Sequence, residues 1–204
     1  MELTPDVPLE EATDERLVHL YRTGIDEAFE VLVGRYRHEL YHFLVRFTGG
    51  TQAGEDVFQD AFLQVHLAID SFKTELRFRP WLFTIAANKA RDYLRRNNRR
   101  PFTSPSTTVN PGQPEERSVL DLLEADLALP SEEAANEETR QRVREVVRSL
   151  PDHLREILLL AYFQQIPYKE IAEILGIPLG TVKSRLHTAV GTFAQRWKEL
   201  HEPE

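Results

Sequence analysis

The chain has 204 residues, of which 41% are hydrophobic and 28% are charged, and its net charge at pH 7 is −8. It has no cysteine, which excludes a disulfide framework and a thiolate metal site and is typical of proteins in a reducing cytosol. The sequence shows no signal peptide and no apolar run of membrane-spanning length, so we expect a soluble cytoplasmic protein without membrane insertion.

The first hundred residues are predicted to be helical, because apolar side chains recur there at a spacing of three and four. Gly24 and the pair Gly49 and Gly50 separate the first three segments, and a loop around Phe72 to Phe78 precedes the fourth. The predicted helices cover approximately residues Asp14 to Arg22, Glu27 to Phe47, Ala53 to Ile69 and Pro80 to Asn98.

The charge is distributed unevenly along the chain. Residues 1–100 carry a net charge of −2, residues 101–137 carry −7 and residues 138–204 carry +1. Between Arg77 and Arg100 there are eight cations and a single anion, Asp92. This local excess of +7 predicts a stripe that faces phosphate groups, so the acidic total does not argue against DNA binding.

Prolines and small polar residues between Pro101 and about Pro130 predict a flexible acidic linker. Within it, Val119 to Leu129 carries six valine and leucine residues among acids, which predicts a short amphipathic helix. We expect such a helix to dock on the chain's own domains rather than on a partner.

A second helical block follows the linker. One helix is predicted from about Glu132 to Ser149, another from Asp152 to about Phe163, and a helix-turn-helix ends the chain near Leu200. The predicted fold class is therefore all-α, with two small helical domains joined by a flexible acidic linker. The predicted bounds are residues 1–100 for the first domain, 101–137 for the linker and 138–204 for the helix-turn-helix domain.

The helix-turn-helix prediction depends on spacing. Ile171, Ile174 and Leu175 fall on one face of a short helix, and Gly176 stands where the chain leaves it, a position that favours positive φ. Pro178 suits the start of the next helix. The apolar side of that helix is Val182, Leu186 and Ala189, and its polar side is Thr181, Lys183, Ser184, Arg185 and His187. Such a polar side suits base edges and phosphates in a major groove, although an ordinary helical hairpin with a solvated face is the alternative.

Four segments in order resemble the extracytoplasmic-function (ECF) sigma factors, which belong to the sigma-70 superfamily. They are DEAFEVLVGRYR from Asp26, EDVFQDAFLQV from Glu55, WLFTIAANKARDYLRR from Trp81, and the stretch Leu150 to His187. The resemblance implies a factor that binds core RNA polymerase and directs promoter recognition, promoter opening and transcription initiation. It implies no enzymatic activity and no cofactor. The implied partners are the beta-prime clamp and beta subunit of core RNA polymerase, promoter DNA, and an anti-sigma factor or other regulator.

The resemblance also implies a role for particular residues. Core polymerase binding is implied for Glu55, Asp56, Gln59, Asp60 and Phe62. Binding of the minus-ten element is implied for Lys73, Phe78, Arg79, Asn88, Lys89, Arg91, Arg95 and Arg96. Binding of the minus-thirty-five element is implied for Thr181, Lys183, Ser184, Arg185 and His187. Trp81 is expected in the core rather than as a stacking platform, because its spacing from Ile85 is helical.

The sequence departs from the family at several positions in the second domain. Ala161, Thr188, Val190 and Gly191 stand where basic residues are frequent in the family. Because each lost phosphate contact removes a counterion-release contribution, we expect weaker and less salt-dependent binding of the minus-thirty-five element. In the family the linker threads the polymerase's positively charged RNA exit path; for this linker, with its net charge of −7, a merely solvated tether is an equally good interpretation.

Three other functions compete with this one. His38, Glu39 and His42 form an H-E-x-x-H motif, as in zinc proteases, but Thr48 stands where a metzincin would carry its third histidine. A stand-alone DNA-binding regulator would leave the first domain without a role. A sigma mimic that sequesters a regulator does not require the DNA-facing cations. The sequence has no phosphate-binding glycine loop and no nucleophile elbow, so nucleotide hydrolysis and serine hydrolase chemistry have no support.

Overall fold

The computed structural model describes residues 8–97 and 135–201, and within them all regular secondary structure is helical. This agrees with the predicted fold class. The predicted Val119 to Leu129 helix and nearly all of the predicted linker lie outside the described residues.

Four helices form the first half of the chain, and their bounds confirm the sequence prediction to within about two residues. Short 3-10 turns at Leu9–Glu11 and Ile69–Ser71 accompany them. Thr13 caps the first helix, because its hydroxyl oxygen accepts a hydrogen bond of 3.3 Å from the backbone N–H of Arg16. The helices are α1 Asp14–Arg22, α2 Glu27–Thr48, α3 Thr51–Ala68 and α4 Phe78–Asn97.

Helix α2 is the centre of the first half and packs against α1, α3 and α4. Its inward side chains include Phe43 and Phe47, whose rings lie 5.7 Å apart, and Phe43 lies 5.5 Å from Phe83 of α4. Helix α3 approaches α2 so closely at Gly54 that a β-carbon there would lie 2.7 Å from the α-carbon of Val45. The crossing of α2 and α3 therefore requires glycine at position 54.

The second half contains α5 Ala135–Ser149, α6 Asp152–Leu158, α7 Tyr168–Leu175 and α8 Leu179–His201. The single helix predicted from Asp152 to Phe163 becomes a π-helical turn at Leu159–Phe163. Gln165 follows this turn with φ of 49°, and it is the one positive φ at a residue other than glycine in the described chain. Periodicity does not distinguish an α-helix from a π-helical ending, because both bury the same apolar side chains.

The turn of the helix-turn-helix has the predicted geometry. Gly176 adopts the left-handed conformation with φ of 64°, and the N–H of Ile177 donates to the carbonyl of Ala172 over 3.0 Å. The inward side of α8 is buried as predicted at Val182, Leu186 and Ala189.

The two halves pack directly against each other, an arrangement that the sequence did not predict. Helix α4 contacts α7, and α2 contacts α5, α6 and the π-helical turn. Arg46 of α2 lies over the ring of Phe163 with 4.7 Å between guanidinium and ring centre, and Arg155 of α6 lies over Phe47 at 5.6 Å. The contact therefore combines aromatic rings with cations from both halves.

Candidate functional site

The outer face of α3 is polar and acidic. Glu55, Asp56, Gln59 and Asp60 are all exposed. Their contacts are weak and local: Gln52 donates to Asp56 over 3.3 Å, and the hydroxyl of Tyr41 lies 3.4 Å from a carboxylate oxygen of Glu55. These side chains are thus available to a partner.

Phe62, the fifth residue predicted for this face, points elsewhere. Its side chain is 9% exposed and its ring lies 4.9 Å from that of Phe58. The exposed apolar side chains of α3 are instead Leu63 at 58% and Leu67 at 68%. Sequence reasoning missed both leucines, although they lie out of phase with the buried stripe that includes Val57, and that mismatch is a readable signal.

The loop before α4 rests on a cluster of aromatic rings. Phe78 is 1% exposed, and its ring centre lies 5.7 Å from Tyr36, 5.7 Å from Phe72 and 5.6 Å from Trp81. Trp81 is half-buried and packs 4.9 Å from Phe72. Both residues support the loop from beneath, as expected for Trp81 but not for Phe78. Residues 73–77 of the loop are all exposed, including Lys73, and Leu76 is the large apolar side chain among them.

The C-terminal part of α4 carries an open polar stripe. Asn88, Arg95 and Arg96 are exposed and Lys89 is half-buried. Arg95 lies 3.0 Å from the carboxylate of Asp92, and Arg96 donates to the Asp92 carbonyl over 3.3 Å. Such short local contacts are easily exchanged for phosphate oxygens.

Arg79 and Arg91 are different, because both contact the second half of the chain. The guanidinium of Arg79 pairs with Glu39 and donates to the backbone carbonyl of Gln164 over 2.9 Å. The Nε of Arg91 lies 3.2 Å from a carboxylate oxygen of Glu156. In this arrangement two predicted DNA-binding cations are occupied by the helix-turn-helix half.

Glu156 lies at the junction of α4, α6 and α8. The residue is 5% exposed, and its burial raises the pKa of the carboxyl group to about 7, against the opposing effects of Arg91 and Arg185. The guanidinium of Arg91 therefore stabilises a carboxylate that has lost nearly all contact with water.

The outer side of α8 is open at the positions predicted to read DNA. Lys183, Ser184 and His187 are exposed, and Thr181 and Arg185 are half-buried. Ser184 donates to the carbonyl of Thr181 over 3.1 Å, within the first turns of the helix. These five side chains share the N-terminal part of one helix, as a major-groove contact requires.

The positions that lack the family's basic residues lie in three different environments. Thr188 is exposed, Ala161 is half-buried and Val190 is 2% exposed. An arginine at position 188 would point outward, whereas one at position 190 would be buried in the core. The expectation that a cation at position 190 would reach DNA is therefore corrected by the burial of Val190.

The H-E-x-x-H motif lies on α2. The rings of His38 and His42 are 4.3 Å apart, and Glu39 between them pairs with Arg79. Burial, the neighbouring His38 and Arg46 lower the pKa of His42. Across residues 8–97 and 135–201, no group of three or more His, Cys, Asp or Glu side chains is placed to hold a metal ion. In the same ranges no helix is both long and apolar enough to span a membrane.

Two families of known proteins match the two halves of the chain. The family described as Sigma-70 region 2 matches residues 32–100, and the family described as Sigma-70, region 4 matches residues 140–191. The ECF RNA polymerase sigma-E factor of Escherichia coli strain K12 is 36% identical over 88% of this chain and 92% of its own length. The RNA polymerase sigma-H factor of Pseudomonas aeruginosa is 32% identical over 89% of this chain and 92% of its own.

Solved structures with the same fold include CnrH in complex with the cytosolic domain of CnrY. It is 25% identical, with a TM-score of 0.64 over 89% of this chain and 95% of that one. The sigma factor RpoE from Bartonella quintana, solved with the anti-sigma factor NepR, is 22% identical with a TM-score of 0.59, and its likeness concerns the fold alone. The two matched regions and the relatives that span nearly the whole chain show that this protein belongs to the ECF family of RNA polymerase sigma factors.

Proposed function

We propose that three exposed faces of this chain each bind a different partner in transcription initiation. An ECF sigma factor binds core RNA polymerase and directs promoter recognition, promoter opening and transcription initiation. The observation that carries this division is that each face exposes the side chains that its step requires. The α3 face carries acidic side chains beside exposed leucines. The α4 stripe carries cations and an amide, and α8 carries cations and short side chains that donate hydrogen bonds.

The α3 face is assigned to core polymerase. Protein interfaces of this kind combine a few apolar anchors with a polar rim. Leu63 and Leu67 supply the anchors, and Glu55, Asp56, Gln59 and Asp60 supply the rim. Phe62 acts from within the core, where it holds the backbone that presents Leu63.

The α4 stripe and the loop before it are assigned to the minus-ten element. Opening a duplex costs a few kcal/mol for each unpaired base, so the protein must capture the separated strand. Asn88 is suited to a base edge, and Lys73, Lys89, Arg95 and Arg96 are suited to phosphates. Arg79 and Arg91 belong to the same surface, and Phe78 holds the loop in place through its ring contacts.

Helix α8 is assigned to the minus-thirty-five element. Lys183 and Arg185 are cations on the outer side of its first turns, and their polar neighbours are Thr181, which is half-buried, and Ser184 and His187, which are exposed. We assign core and minus-ten binding to residues 1–100, the linker to residues 101–137 and minus-thirty-five binding to residues 138–204.

We further infer that the chain works in the cytoplasm, performs no covalent chemistry and is controlled by a protein regulator. Differential binding of the separated strand over the duplex supplies the free energy of opening, so no catalytic residue is needed. The solved structure of CnrH supports a protein partner of this kind, because CnrH shares the fold over 89% of this chain and is bound there to the cytosolic domain of CnrY.

The test is transcription with purified components. The chain is mixed with bacterial core RNA polymerase and genomic DNA, and transcript starts are mapped. Discrete starts that share two sequence elements are expected, and a chain that binds DNA without binding core would instead be a stand-alone regulator. Stoichiometric zinc in the preparation would revive the protease interpretation of His38 and His42.

The α3 assignment has its own test. Leu63→Ser combined with Leu67→Ser is expected to weaken core binding at least tenfold, because two exposed anchors are lost. The control is Leu200→Ser on α8, which removes a leucine of 45% exposure from another surface. Equal core affinity of the double variant and the control would contradict the assignment.

A further inference from the structure

The loop before α4 has a defined shape although its residues 73–77 are all exposed. The N–H of Leu76 donates to the carbonyl of Lys73 over 2.9 Å, which closes a four-residue β-turn with Thr74 and Glu75 at its tip. Phe72 and Phe78 flank the loop, and their rings pack against each other beneath it. Ring packing is not directional, so the course of the backbone at each end of the loop depends on hydrogen bonds.

Helix α1 supplies hydrogen bonds at both ends of the loop. Before the loop, the Nε of Arg22 donates to the carbonyl of Ile69 over 3.1 Å, and its Nη2 donates to the carbonyl of Phe72 over 2.5 Å. After the loop, the carboxylate of Glu15 accepts a hydrogen bond of 3.2 Å from the backbone N–H of Phe78. Glu15 and Arg22 lie about two helical turns apart, so both side chains leave the same face of α1. One helix therefore holds the backbone on either side of the loop.

Glu15 and Arg22 each satisfy backbone groups that need a partner. The N–H of Phe78 lies at the start of α4, where backbone donors have no acceptor within the helix. The first turn of α4, residues 78–81, holds no acidic side chain, so Glu15 supplies from α1 the carboxylate that favours a helix N-terminus. Arg22 is half-buried and also lies 4.0 Å from Asp70, whose side chain is 91% exposed. The strong contacts of Arg22 are therefore those with the two carbonyls before the loop.

We infer that Glu15 and Arg22 are positioning residues for minus-ten recognition, because they hold the loop in one shape before the separated DNA strand arrives. This inference rests on the proposed assignment of the loop to the minus-ten element. A loop that is fixed before binding loses less conformational entropy when the strand binds. A fixed loop also discriminates better between strand sequences, since a mobile one adapts to several. Both residues act through the loop and not by contact with DNA.

Glu15→Ala and Arg22→Ala each release one end of the loop. Arg16→Ala is the matched control, because Arg16 is an exposed arginine of the same helix. The chain has no cysteine, so a spin label at the exposed position Thr74→Cys reports the mobility of the loop tip. The label is expected to be more mobile in both variants than in Arg16→Ala. Glu15→Gln should stay close to wild type, because its amide oxygen still accepts from the N–H of Phe78.

Strand binding is measured with the full-length chain bound to core polymerase. One labelled single strand carries the minus-ten sequence found by transcript mapping, and a second differs from it by one base. Both alanine variants are expected to bind the mapped strand about fivefold or more weakly than Arg16→Ala does, and to discriminate less between the two strands. Affinity for core polymerase and for minus-thirty-five duplex should not change, whereas general destabilisation of the fold would lower all three affinities.

Equal strand affinity and equal discrimination in the alanine variants and the control would overturn the inference, whatever mobility the label reports. Strand binding by Glu15→Gln that is as weak as that of Glu15→Ala would also overturn it. If Arg22→Ala does not fold by circular dichroism, Arg22→Lys replaces it, because a single ammonium group cannot reproduce the fixed fork of a guanidinium. Absence of discrete transcript starts with wild type would contradict the proposed function, whereas normal transcription with unchanged variants would contradict the positioning role alone.

Discussion

At the residue scale, Gly54 is a position where adding a single methyl group is expected to destabilise the fold. A β-carbon there would lie 2.5 Å from the Val45 side chain and 2.7 Å from its α-carbon, and a backbone atom cannot turn aside as a flexible side chain does. Gly54→Ala is therefore expected to lower the free energy of unfolding by about 1–3 kcal/mol, as overpacking does in well-packed cores. Urea unfolding followed by circular dichroism measures it.

Gly34 is the control for that substitution, because it lies within α2 and nothing would stand within 4 Å of a new β-carbon. Gly34→Ala is expected to raise the free energy of unfolding by roughly 0.5–1 kcal/mol, since alanine is the better helix former. If both substitutions stabilised the chain, the close approach of α2 and α3 at Gly54 would be wrong.

Glu156 links stability to pH. Burial raises the pKa of its carboxyl group to about 7, while Arg91 from α4 and Arg185 from α8 act against that rise and Asp152 adds to it. A raised pKa means that the unfolded chain releases this proton at lower pH than the folded chain does. The stability contributed by the protonated group is therefore complete at acid pH and is lost as the pH rises towards and through about 7.

Glu156→Gln removes that loss. We compare the free energy of unfolding of the variant with that of the wild type at each pH. The difference, variant minus wild type, is expected to be roughly 2 kcal/mol larger at pH 8 than at pH 5. The pairing with Arg91 forms only with the ionised carboxylate, and its effect is already included in the pKa of about 7, so it needs no separate correction in the comparison. Glu173→Gln, at an exposed position, supplies the control. Urea titrations at the two pH values give the result, and a gain that is larger at pH 5 would contradict the burial of an ionisable carboxyl group.

At the scale of elements, α8 shows how one helix separates DNA contact from core packing. Thr188 is exposed and its hydroxyl donates to the Ser184 carbonyl over 3.0 Å, whereas Val190 is 2% exposed. Thr188→Arg adds one phosphate contact, so affinity for minus-thirty-five duplex should rise several-fold and the salt slope should steepen by about 0.9. Fluorescence anisotropy at several salt concentrations measures both.

Val190→Arg is the contrasting variant on the same helix. It buries a guanidinium among apolar side chains, and an unpaired buried charge is strongly destabilising. The expected result is a fall in unfolding free energy of about 3 kcal/mol or more with no specific gain in DNA affinity. Tighter duplex binding by a stable Val190→Arg protein would show that α8 is rotated relative to the structure.

Individual elements were largely predictable from the sequence. The apolar spacing fixed the bounds of α2 and α3 to within about two residues, and Gly176 marked the turn before α8. Phe62 and Leu63 show where such reasoning fails. They are adjacent, and the family resemblance assigned Phe62 to the polymerase interface, although the buried stripe through Val57 leaves Leu63 on the outer side.

At the scale of the whole molecule, the contact between the halves was not predictable. Arg79 and Gln164 are 85 residues apart in the chain, and no periodic pattern connects them. Cations that suit phosphates also suit carboxylates and carbonyls, so the composition of α4 fits both contact with DNA and contact with the helix-turn-helix half. Only the packed structure reveals that Arg91 faces Glu156.

The packing of the two halves against each other, called closure below, should respond to salt in a way that separates its exposed ion pair from its buried one. Raising NaCl from about 0.1 M to about 1 M shortens the Debye length from about 10 Å to about 3 Å, which screens exposed pairs more than buried ones. The pairing of Arg77 with Glu170 is exposed on the arginine side, whereas Glu156 beside Arg91 is buried. Salt should therefore weaken closure by less than about 1 kcal/mol. The chain has no cysteine, so spin labels can be attached at Glu30→Cys and Lys198→Cys, two exposed positions in different halves. Their separation should report a modest rise with salt in the population of wild type whose halves are apart, and a smaller rise in Glu170→Gln, which lacks the screened pair. Equal responses of the two proteins would show that the Arg77 and Glu170 pair does not contribute to closure.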